Sequence, residues 1–175
     1  MPAAAIFLDR DGVLNKSIVI DGMPTSPMTA DAVELYADVP DACRRLKAAG
    51  FLLICVTNQP NIARGIQSAD TVHAISIRLA VELGLDDMRV CPHDDGDGCH
   101  CRKPKPGLIL DAARDHGIDL AASFMVGDRW RDIDAGRAAG CRTIWIDRGY
   151  AERGARADLV CQGLGDAAER ICGAE

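Results

Sequence analysis

The sequence predicts an α/β fold: a single domain over residues 1–175, built on one Rossmann-like, doubly wound parallel sheet. Short, continuous apolar runs alternate with segments of helical periodicity, and such runs suit strands that are buried on both faces. The chain of 175 residues contains no internal repeat and no linker that would divide it, and 48% of its residues are hydrophobic. This length and composition allow one substantial core covered by helices on both faces of the sheet.

The strands are predicted from apolar runs that end at turn residues. The first is Ala3–Leu8, and an irregular stretch is expected after it, over residues 16–37. The second is Phe51–Val56, bounded by Gly50 and Thr57. The remaining strands are expected at Met88–Val90, at Ala122–Val126, at Arg142–Ile146 and in the first part of residues 158–172.

The helices are predicted from capping residues and helix stops. Asp38 is an N-cap candidate for a helix with Pro40 in its first turn and a stop at Gly50. Ser68 is an N-cap candidate for a second helix that runs to Gly84. Further helices are expected between Pro106 and Gly117, in the segment that ends at Gly140, and in the second part of residues 158–172.

Composition and charge exclude several classes of partner. The formal net charge of −6 disfavours a nucleic-acid partner, because proteins that bind a phosphate backbone usually carry a basic stripe. The first apolar run is short, lacks a preceding basic segment and is interrupted by Asp9, so it predicts neither a secretory signal nor a membrane span. We therefore expect a cytoplasmic monomer that binds neither nucleic acid nor membrane.

Two carboxylates, Asp9 and Asp11, directly follow the first predicted strand and precede Gly12. The strand period of two points both carboxylates to the same side. Two like charges in close proximity are costly unless a cation or a shared proton relieves them. Magnesium would relieve them and would also hold a phosphate, whereas the alternative interpretation is an ordinary acidic turn.

Three other predicted strand ends or helix starts carry polar groups that suit phosphate chemistry. The segment Val56–Gln59 offers a hydroxyl and backbone N–H groups, and Arg102–Gly107 offers cations before a helix start. Asp128 can reach the same cation as Asp9, and Asp132 could orient a lysine or cap a helix. Taken singly, these residues could equally be turn residues, a solvated basic turn and a helix cap.

Together the four segments lie at the carboxyl ends of strands, where open α/β sheets bind ligands. Their order is Asp-x-Asp, Thr-Asn, Lys and Gly-Asp-x-x-x-Asp, and it resembles the haloacid dehalogenase superfamily of phosphohydrolases over Phe7–Asp132. The resemblance implies that Asp9 is a nucleophile that forms an aspartyl-phosphate. It also implies that Asp11 protonates the leaving alkoxide and later deprotonates the attacking water.

The same resemblance implies the roles of the remaining site residues. Thr57 and Lys103 would hold the phosphoryl group. Magnesium would be bound by Asp9, by Asp128 and by the backbone carbonyl of Asp11.

Three of the eight cysteines crowd into the short segment 91–101, where Cys91, His93, Cys99 and Cys101 offer three thiolates and an imidazole. Such a soft set suits tetrahedral structural zinc. His100 is the spare residue and is expected to point to solvent. A closed four-ligand site leaves no open position, so we expect zinc to fold this loop and thereby to fix the following Lys103.

The other five cysteines are scattered along the chain. A disulfide framework is not expected in a chain of this size with an ample core and no export signal. These residues are predicted to be small buried hydrophobic groups: Cys43, Cys55, Cys141, Cys161 and Cys172.

Within the superfamily, Asp-Arg-Asp-Gly, Thr-Asn-Gln, Ile-Ala-Arg-Gly and the cysteine–histidine loop are similar to the motifs of the D-glycero-D-manno-heptose-1,7-bisphosphate 7-phosphatases. Histidinol-phosphatase domains share nearly all of them. The resemblance implies a small phosphorylated sugar as substrate and no large cap domain. It also implies that Arg102 and Arg129 contact the part of the substrate remote from the reacting phosphate, with Asn58 and Arg64 as further substrate-binding candidates.

Two features depart from this pattern. Pro60-Asn61 replaces the usual Ser-Gly before Ile-Ala-Arg-Gly, and the loop over residues 16–30 is atypical. The substrate could therefore also be histidinol phosphate or another small sugar phosphate. An alternative from another class is a non-catalytic zinc-binding interaction module.

Overall fold

The computed structural model describes residues 2–173, which form an α/β fold. The strands in this part of the chain are β1 (Ala5–Leu8), β2 (Ile18–Ile20), β3 (Met23–Thr25), β4 (Leu52–Asn58), β5 (Asp87–Cys91), β6 (Phe124–Gly127), β7 (Arg142–Ile146) and β8 (Leu159–Cys161). The α-helices are α1 (Val39–Ala48), α2 (Ala69–Leu83), α3 (Gly107–His116), α4 (Trp130–Ala139) and α5 (Leu164–Cys172).

Six strands form a parallel sheet in the order β5-β4-β1-β6-β7-β8, and this confirms the predicted doubly wound arrangement. β1 lies between β4 and β6, with Ile6 opposite both Leu53 and Phe124. The carboxyl ends of β4, β1 and β6 therefore lie side by side, at the carboxyl-terminal edge of the central part of the sheet. This edge receives the residues that follow each of the three strands.

The side chains of β1 alternate between two buried clusters, one on each face of the sheet. Ile6 and Leu8 pack with residues of α1, α2 and α5. Ala5 and Phe7 pack with residues of α3 and α4. All four side chains are fully buried, which explains why β1 is a continuous apolar run rather than an alternating one.

The predicted helix ends agree with the structure except for the role of one cap. The Ser68 side chain accepts a hydrogen bond from the Thr71 backbone N–H at 3.1 Å, and Gly84 ends α2 in the left-handed conformation. Asp38 occupies the N-cap position of α1, but its side chain makes no capping bond there. It accepts instead from the Gly165 N–H at 2.8 Å, because the start of α5 packs beside α1.

The prediction of an irregular stretch over residues 16–37 was wrong for residues 18–25. β2 and β3 pair as an antiparallel hairpin, with Ile20 opposite Met23. Asp21 and Gly22 form the turn with φ of +50° and +75°, and an Asp-Gly pair with two positive φ values is typical of tight hairpins. The hairpin borders the cavity described below.

The scattered cysteines are free thiols in the described chain, as predicted. Cys43, Cys55, Cys141 and Cys161 are buried, and Cys172 is half-buried against the core. Between residues 2 and 173, no helix is both long enough and apolar enough to cross a membrane.

Candidate active site

A cavity of about 400 Å³ opens at the carboxyl ends of β1 and β4. Most of the predicted site residues line it, namely Asp9, Asp11, Thr57, Asn58, Arg64, Arg102, Lys103, Arg129 and Asp132. The hairpin supplies part of the wall, including Ile20 and Met23. The structure thus brings residues from five separate segments to one place.

A buried lysine lies at the centre of the site. Lys103 Nζ lies 2.8 Å from Asp9 Oδ1 and 2.6 Å from Asp132 Oδ1, and it donates to the Val56 carbonyl at 2.6 Å. Burial works to lower the pKa of Lys103, but the carboxylates of Asp132 and Asp9 outweigh it and raise that pKa above its ordinary value. Lys103 is therefore a fixed cation beside Asp9.

Asp132 serves both of the functions that its position suggests. One oxygen pairs with Lys103, and Oδ2 accepts from the Arg129 backbone N–H at 3.0 Å, at the start of α4. Burial and the nearby Asp9 raise the pKa of Asp132 to about 6, against the opposing effect of Lys103. Asp132 thus orients Lys103 toward Asp9.

Asp128 provides the structural test for a metal ion. Both of its carboxylate oxygens are buried and neither makes a hydrogen bond of ordinary geometry, although the Tyr150 hydroxyl lies nearby. Burial, together with Asp9 and Asp132, raises the pKa of Asp128 well above its ordinary value. A carboxylate in this environment calls for a cation, and Asp9, Asp128 and Asp132 place ligand oxygens within 4.8 Å of one another.

The backbone at Gly12 closes over Asp128. A Cβ at this position would lie 1.8 Å from Asp128 Oδ2, and Gly12 has a φ of +93°. Both the close approach and the left-handed conformation require glycine. The glycine after the Asp-x-Asp motif is therefore part of the carboxylate site.

The Asp11 carboxylate is held by four side chains, two of them inside the quoted motifs, for which the sequence predicted no such role. It accepts from Arg10 at 3.1–3.3 Å, from Asn15 at 2.9 Å, from Ser26 at 2.8 Å and from Gln59 at 2.9 Å. Burial works to raise the pKa of Asp11, but the Arg10 guanidinium and the hydrogen bonds from Asn15 and Gln59 hold it below its ordinary value. Asp11 is thus ionised at neutral pH, which is the form that can accept a proton from water.

Thr57 and Asn58 lie at the end of β4 but make different contacts. The Thr57 hydroxyl accepts from the Gln59 amide at 2.9 Å, so its own proton is free for an anion in the cavity. Asn58 exchanges two hydrogen bonds with the backbone of Lys103, at 3.0 Å and 3.1 Å. Asn58 therefore anchors the Lys103 segment, and because it also lines the cavity, its contact with a substrate stays a prediction.

The predicted zinc ligands converge. Cys91 Sγ lies 3.2 Å from Cys101 Sγ, 3.8 Å from Cys99 Sγ and 3.5 Å from His93 Nδ1. All four ligand atoms lie within 4.8 Å of one another, as a tetrahedral soft-metal site needs. His100 lies outside this cluster, exposed, with Nε2 at 2.9 Å from Asp111.

The predicted substrate-binding arginines are paired with carboxylates at the rim of the cavity. Arg129 forms a two-bond pair with Glu152 at 2.8 Å and 2.6 Å. Arg64 pairs in the same way with Asp94.

Arg102 shares its partner with a residue that the motifs did not single out. Arg102 and Arg131 both donate to Asp95, at 2.8 Å and 2.9 Å, and all three residues line the cavity. Arg131 lies in the first turn of α4. No local signal marked it, because its approach to the cavity depends on the fold of the 91–101 loop.

Replacing Lys103 by methionine is expected to lower the free energy of unfolding by about 3–5 kcal/mol, because two buried carboxylates lose their cation. The loss should be larger at pH 8 than at pH 5. Asp132 has a raised folded-state pKa, so the folded state retains the proton that the unfolded state releases, and stability falls as pH rises. Denaturant unfolding at the two pH values, without added metal, measures both effects.

Lys105→Met is the matched control, since Lys105 is exposed and lies two residues further along. Its expected effect is below about 1 kcal/mol. Equal losses for the two lysine variants would contradict a special role for the buried cation.

Comparison with known proteins was made on both sequence and structure. A family model described as HAD-hydrolase-like matches residues 100–167. A protein of Thermosynechococcus vestitus named D-glycero-D-manno-heptose-1,7-bisphosphate 7-phosphatase is 36% identical, over 98% of this chain and 97% of its own length. A Yersinia pestis protein named D-glycero-beta-D-manno-heptose-1,7-bisphosphate 7-phosphatase is 38% identical, over 95% of this chain and 94% of its own length.

A solved structure of an enzyme in the same family is also similar to this chain. The crystal structure of D,D-heptose 1,7-bisphosphate phosphatase from Bordetella bronchiseptica, in complex with magnesium and phosphate, superposes with a TM-score of 0.81. It is 33% identical, and the alignment covers 98% of this chain and 99% of that one.

Relatives of this identity and coverage exclude the alternative of a non-catalytic zinc-binding module. They agree with the site geometry, in which the buried Lys103 meets the carboxylates of Asp9 and Asp132, from two different segments, at one cavity. The chain is a phosphoric monoester hydrolase that belongs to the haloacid dehalogenase superfamily, in the family of the heptose-1,7-bisphosphate 7-phosphatases.

Proposed function

We propose that this enzyme is a magnesium-dependent phosphatase that acts through an aspartyl-phosphate on Asp9, and that it removes the 7-phosphate of D-glycero-D-manno-heptose 1,7-bisphosphate. The observation that carries the mechanism is the pairing of Asp9 with the buried Lys103, next to the carboxylate of Asp128, which makes no hydrogen bond of ordinary geometry. The names of the relatives support the substrate.

The charge balance of the inner cavity supports a divalent cation. Four carboxylates meet two buried cations there, which leaves two negative charges without compensation. Asp9, Asp128 and the backbone carbonyl of Asp11 would hold magnesium. When bound, the ion neutralises charge on the transferred phosphoryl group.

Asp9 acts as the nucleophile in the first half of the reaction. Lys103 holds Oδ1, so Oδ2 is the oxygen that forms the bond to phosphorus. The bond between phosphorus and the sugar oxygen breaks, and the leaving oxygen takes a proton from Asp11. The Thr57 hydroxyl and the Lys103 ammonium hold the non-bridging phosphoryl oxygens. Both groups are already in position before the substrate binds, so they stabilise the phosphoryl charge without moving.

Asp11 acts as the base in the second half. Its ionised form takes a proton from water, the water oxygen bonds to phosphorus, and the bond to Asp9 breaks to regenerate the free carboxylate. Arg10, Asn15 and Gln59 favour this ionised form through the hydrogen bonds they donate. The acid step needs the protonated form, and the pH dependence of turnover would report that requirement.

We also propose that zinc binds Cys91, His93, Cys99 and Cys101 and has a structural role. The loop they define leads directly into Arg102 and Lys103. A metal that fixes this loop would fix the backbone from which the buried lysine extends.

The test of the proposed function compares substrates with the purified enzyme. Phosphate release from the heptose bisphosphate is expected to require magnesium, to stop on chelation and to return when magnesium is restored. We expect kcat/KM for the bisphosphate to exceed that for a hexose monophosphate by about tenfold or more, since a second phosphate adds charge-assisted contacts.

Histidinol phosphate is the third substrate in this comparison. A higher kcat/KM for histidinol phosphate than for the bisphosphate would replace the proposed substrate and keep the phosphatase mechanism. Turnover of all three substrates without magnesium would contradict the mechanism itself.

A further inference from the structure

Asp95, in the 91–101 loop, lies between two guanidinium groups that belong to different parts of the fold. Its Oδ1 accepts from Arg102 Nε at 2.8 Å and from an Arg131 terminal nitrogen at 2.9 Å. Arg102 also donates to the His93 carbonyl at 3.1 Å, which fixes its side chain along the loop. One carboxylate therefore holds two arginines together at the rim of the cavity.

The burial of these groups is unequal. The Arg102 and Arg131 side chains are 11% and 26% exposed, whereas the Asp95 side chain is 57% exposed. Two largely buried cations thus share one carboxylate that is mostly in solvent. Including the Arg64–Asp94 and Arg129–Glu152 pairs, the rim carries four guanidinium groups and three carboxylates.

The cavity is consequently polarised. Its inner end, around Asp9, has excess negative charge, and its rim has excess positive charge. A substrate with one phosphate at a metal-containing inner end could place a second anionic group at the rim. Paired guanidinium groups match phosphate oxygens in a two-bond geometry.

The position of Arg131 is unfavourable for the helix that carries it. It lies in the first turn of α4, where the helix dipole disfavours a cation. The guanidinium is retained there by Asp95 and by the ring of Trp130, whose centroid lies 4.8 Å away. Helix stability alone gives no reason for an arginine at this position.

Arg129, two residues earlier, is less suited to a free anion. Its guanidinium already makes two bonds to Glu152, which raise the pKa of Arg129 further above its ordinary value. Its positive charge is matched by a dedicated, largely buried carboxylate. Asp95 divides its negative charge between Arg102 and Arg131, whereas Glu152 serves Arg129 alone. The positive charge of Arg131 is therefore less fully neutralised than that of Arg129.

We propose that Arg131, which Asp95 holds beside Arg102, is a further residue that binds the phosphate of the substrate that is not transferred. Arg131 is then a specificity-determining residue for bisphosphates. The inference rests on the proposed function, because it assigns the second anionic group of that substrate.

The experiment compares Arg131→Gln with the parent enzyme on a sugar bisphosphate and on para-nitrophenyl phosphate. The ratio of kcat/KM values, bisphosphate to generic ester, is expected to fall roughly tenfold to hundredfold, mainly through KM for the bisphosphate. Arg153→Gln is the matched control, since Arg153 stacks on the same Trp130 ring but lines a neighbouring cavity. The control should keep the parental ratio.

Binding without turnover separates this inference from the proposed function. In an Asp9→Asn background, calorimetry with the bisphosphate should give a Kd that rises at least tenfold when Arg131→Gln is added. That result supports the subsite even if the parent enzyme fails to release phosphate from the bisphosphate. An unchanged Kd together with an unchanged kcat/KM ratio overturns the subsite and leaves the phosphatase mechanism standing.

Discussion

Asp9→Asn is expected to reduce phosphate release by about 10⁴-fold or more while the protein remains folded. An amide oxygen is a poor nucleophile, and the change also removes one of the charges that would hold magnesium. Lys103 keeps its contact with Asp132, so the buried ammonium remains paired. Steady-state phosphate release and thermal unfolding on the same preparation measure the two parts of this prediction.

Asp31→Asn serves as the control, because Asp31 is exposed and lies outside the cavity. It should keep parental activity. Mass spectrometry of acid-quenched parent enzyme should detect a phosphoryl group on the peptide that contains Asp9. Retention of more than a tenth of the parental rate by Asp9→Asn would refute covalent catalysis at this residue.

Cys101→Ser is expected to lower the melting temperature by about 10 °C, because it removes a buried ligand of the proposed zinc ion. A loss of ~4 kcal/mol corresponds to a shift of this size in a chain of this length. Activity should fall with stability, since Lys103 lies two residues after the altered ligand. Calorimetric unfolding and elemental analysis of protein purified without chelators test the prediction together.

Cys141→Ala provides the comparison for this variant. Cys141 is buried in the same apolar cluster as Cys101 but lies outside the metal-ligand set. Its effect should be the small cost of a shortened core side chain, with zinc content unchanged. A zinc content near zero in the parent protein would exclude the structural metal.

The presence of Asp9 and Asp128 in the candidate site could be predicted from the sequence because each lies beside a local marker. Asp9 follows a continuous apolar run, and Asp128 follows another that ends in glycine. The parallel sheet brings such strand ends together regardless of the loops between them. The cysteine–histidine set was equally recognisable, since its four ligands lie within eleven residues of one another.

The supporting side chains could not be predicted in this way. Ser26 reaches Asp11 from 15 residues away and carries no chemical signature of its own. Gln59 belongs to the Thr-Asn-Gln motif, but nothing local indicates that it binds a carboxylate 48 residues earlier. Asp38 lies at the predicted cap position of α1, but its side chain accepts a hydrogen bond from the N–H of Gly165, 127 residues further along. Tertiary packing decided each of these contacts. The hairpin at residues 18–25 is different, since its Asp21-Gly22 turn is a local sequence signal from which the hairpin could have been predicted.

The central place of β1 in the sheet has a consequence for how the chain folds. β1 pairs with β4 early in the sequence, but its other neighbour, β6, begins only at Phe124. Until β6 is added, the strand leading to Asp9 is an open hydrophobic edge of the kind that recruits other chains. The contacts that close this edge are long-range, and contacts of that kind form slowly because a long loop must be ordered first. We therefore expect a stage in which β1 is paired on one side only, and Asp9 comes to lie beside Asp128 only when β6 has closed the other side.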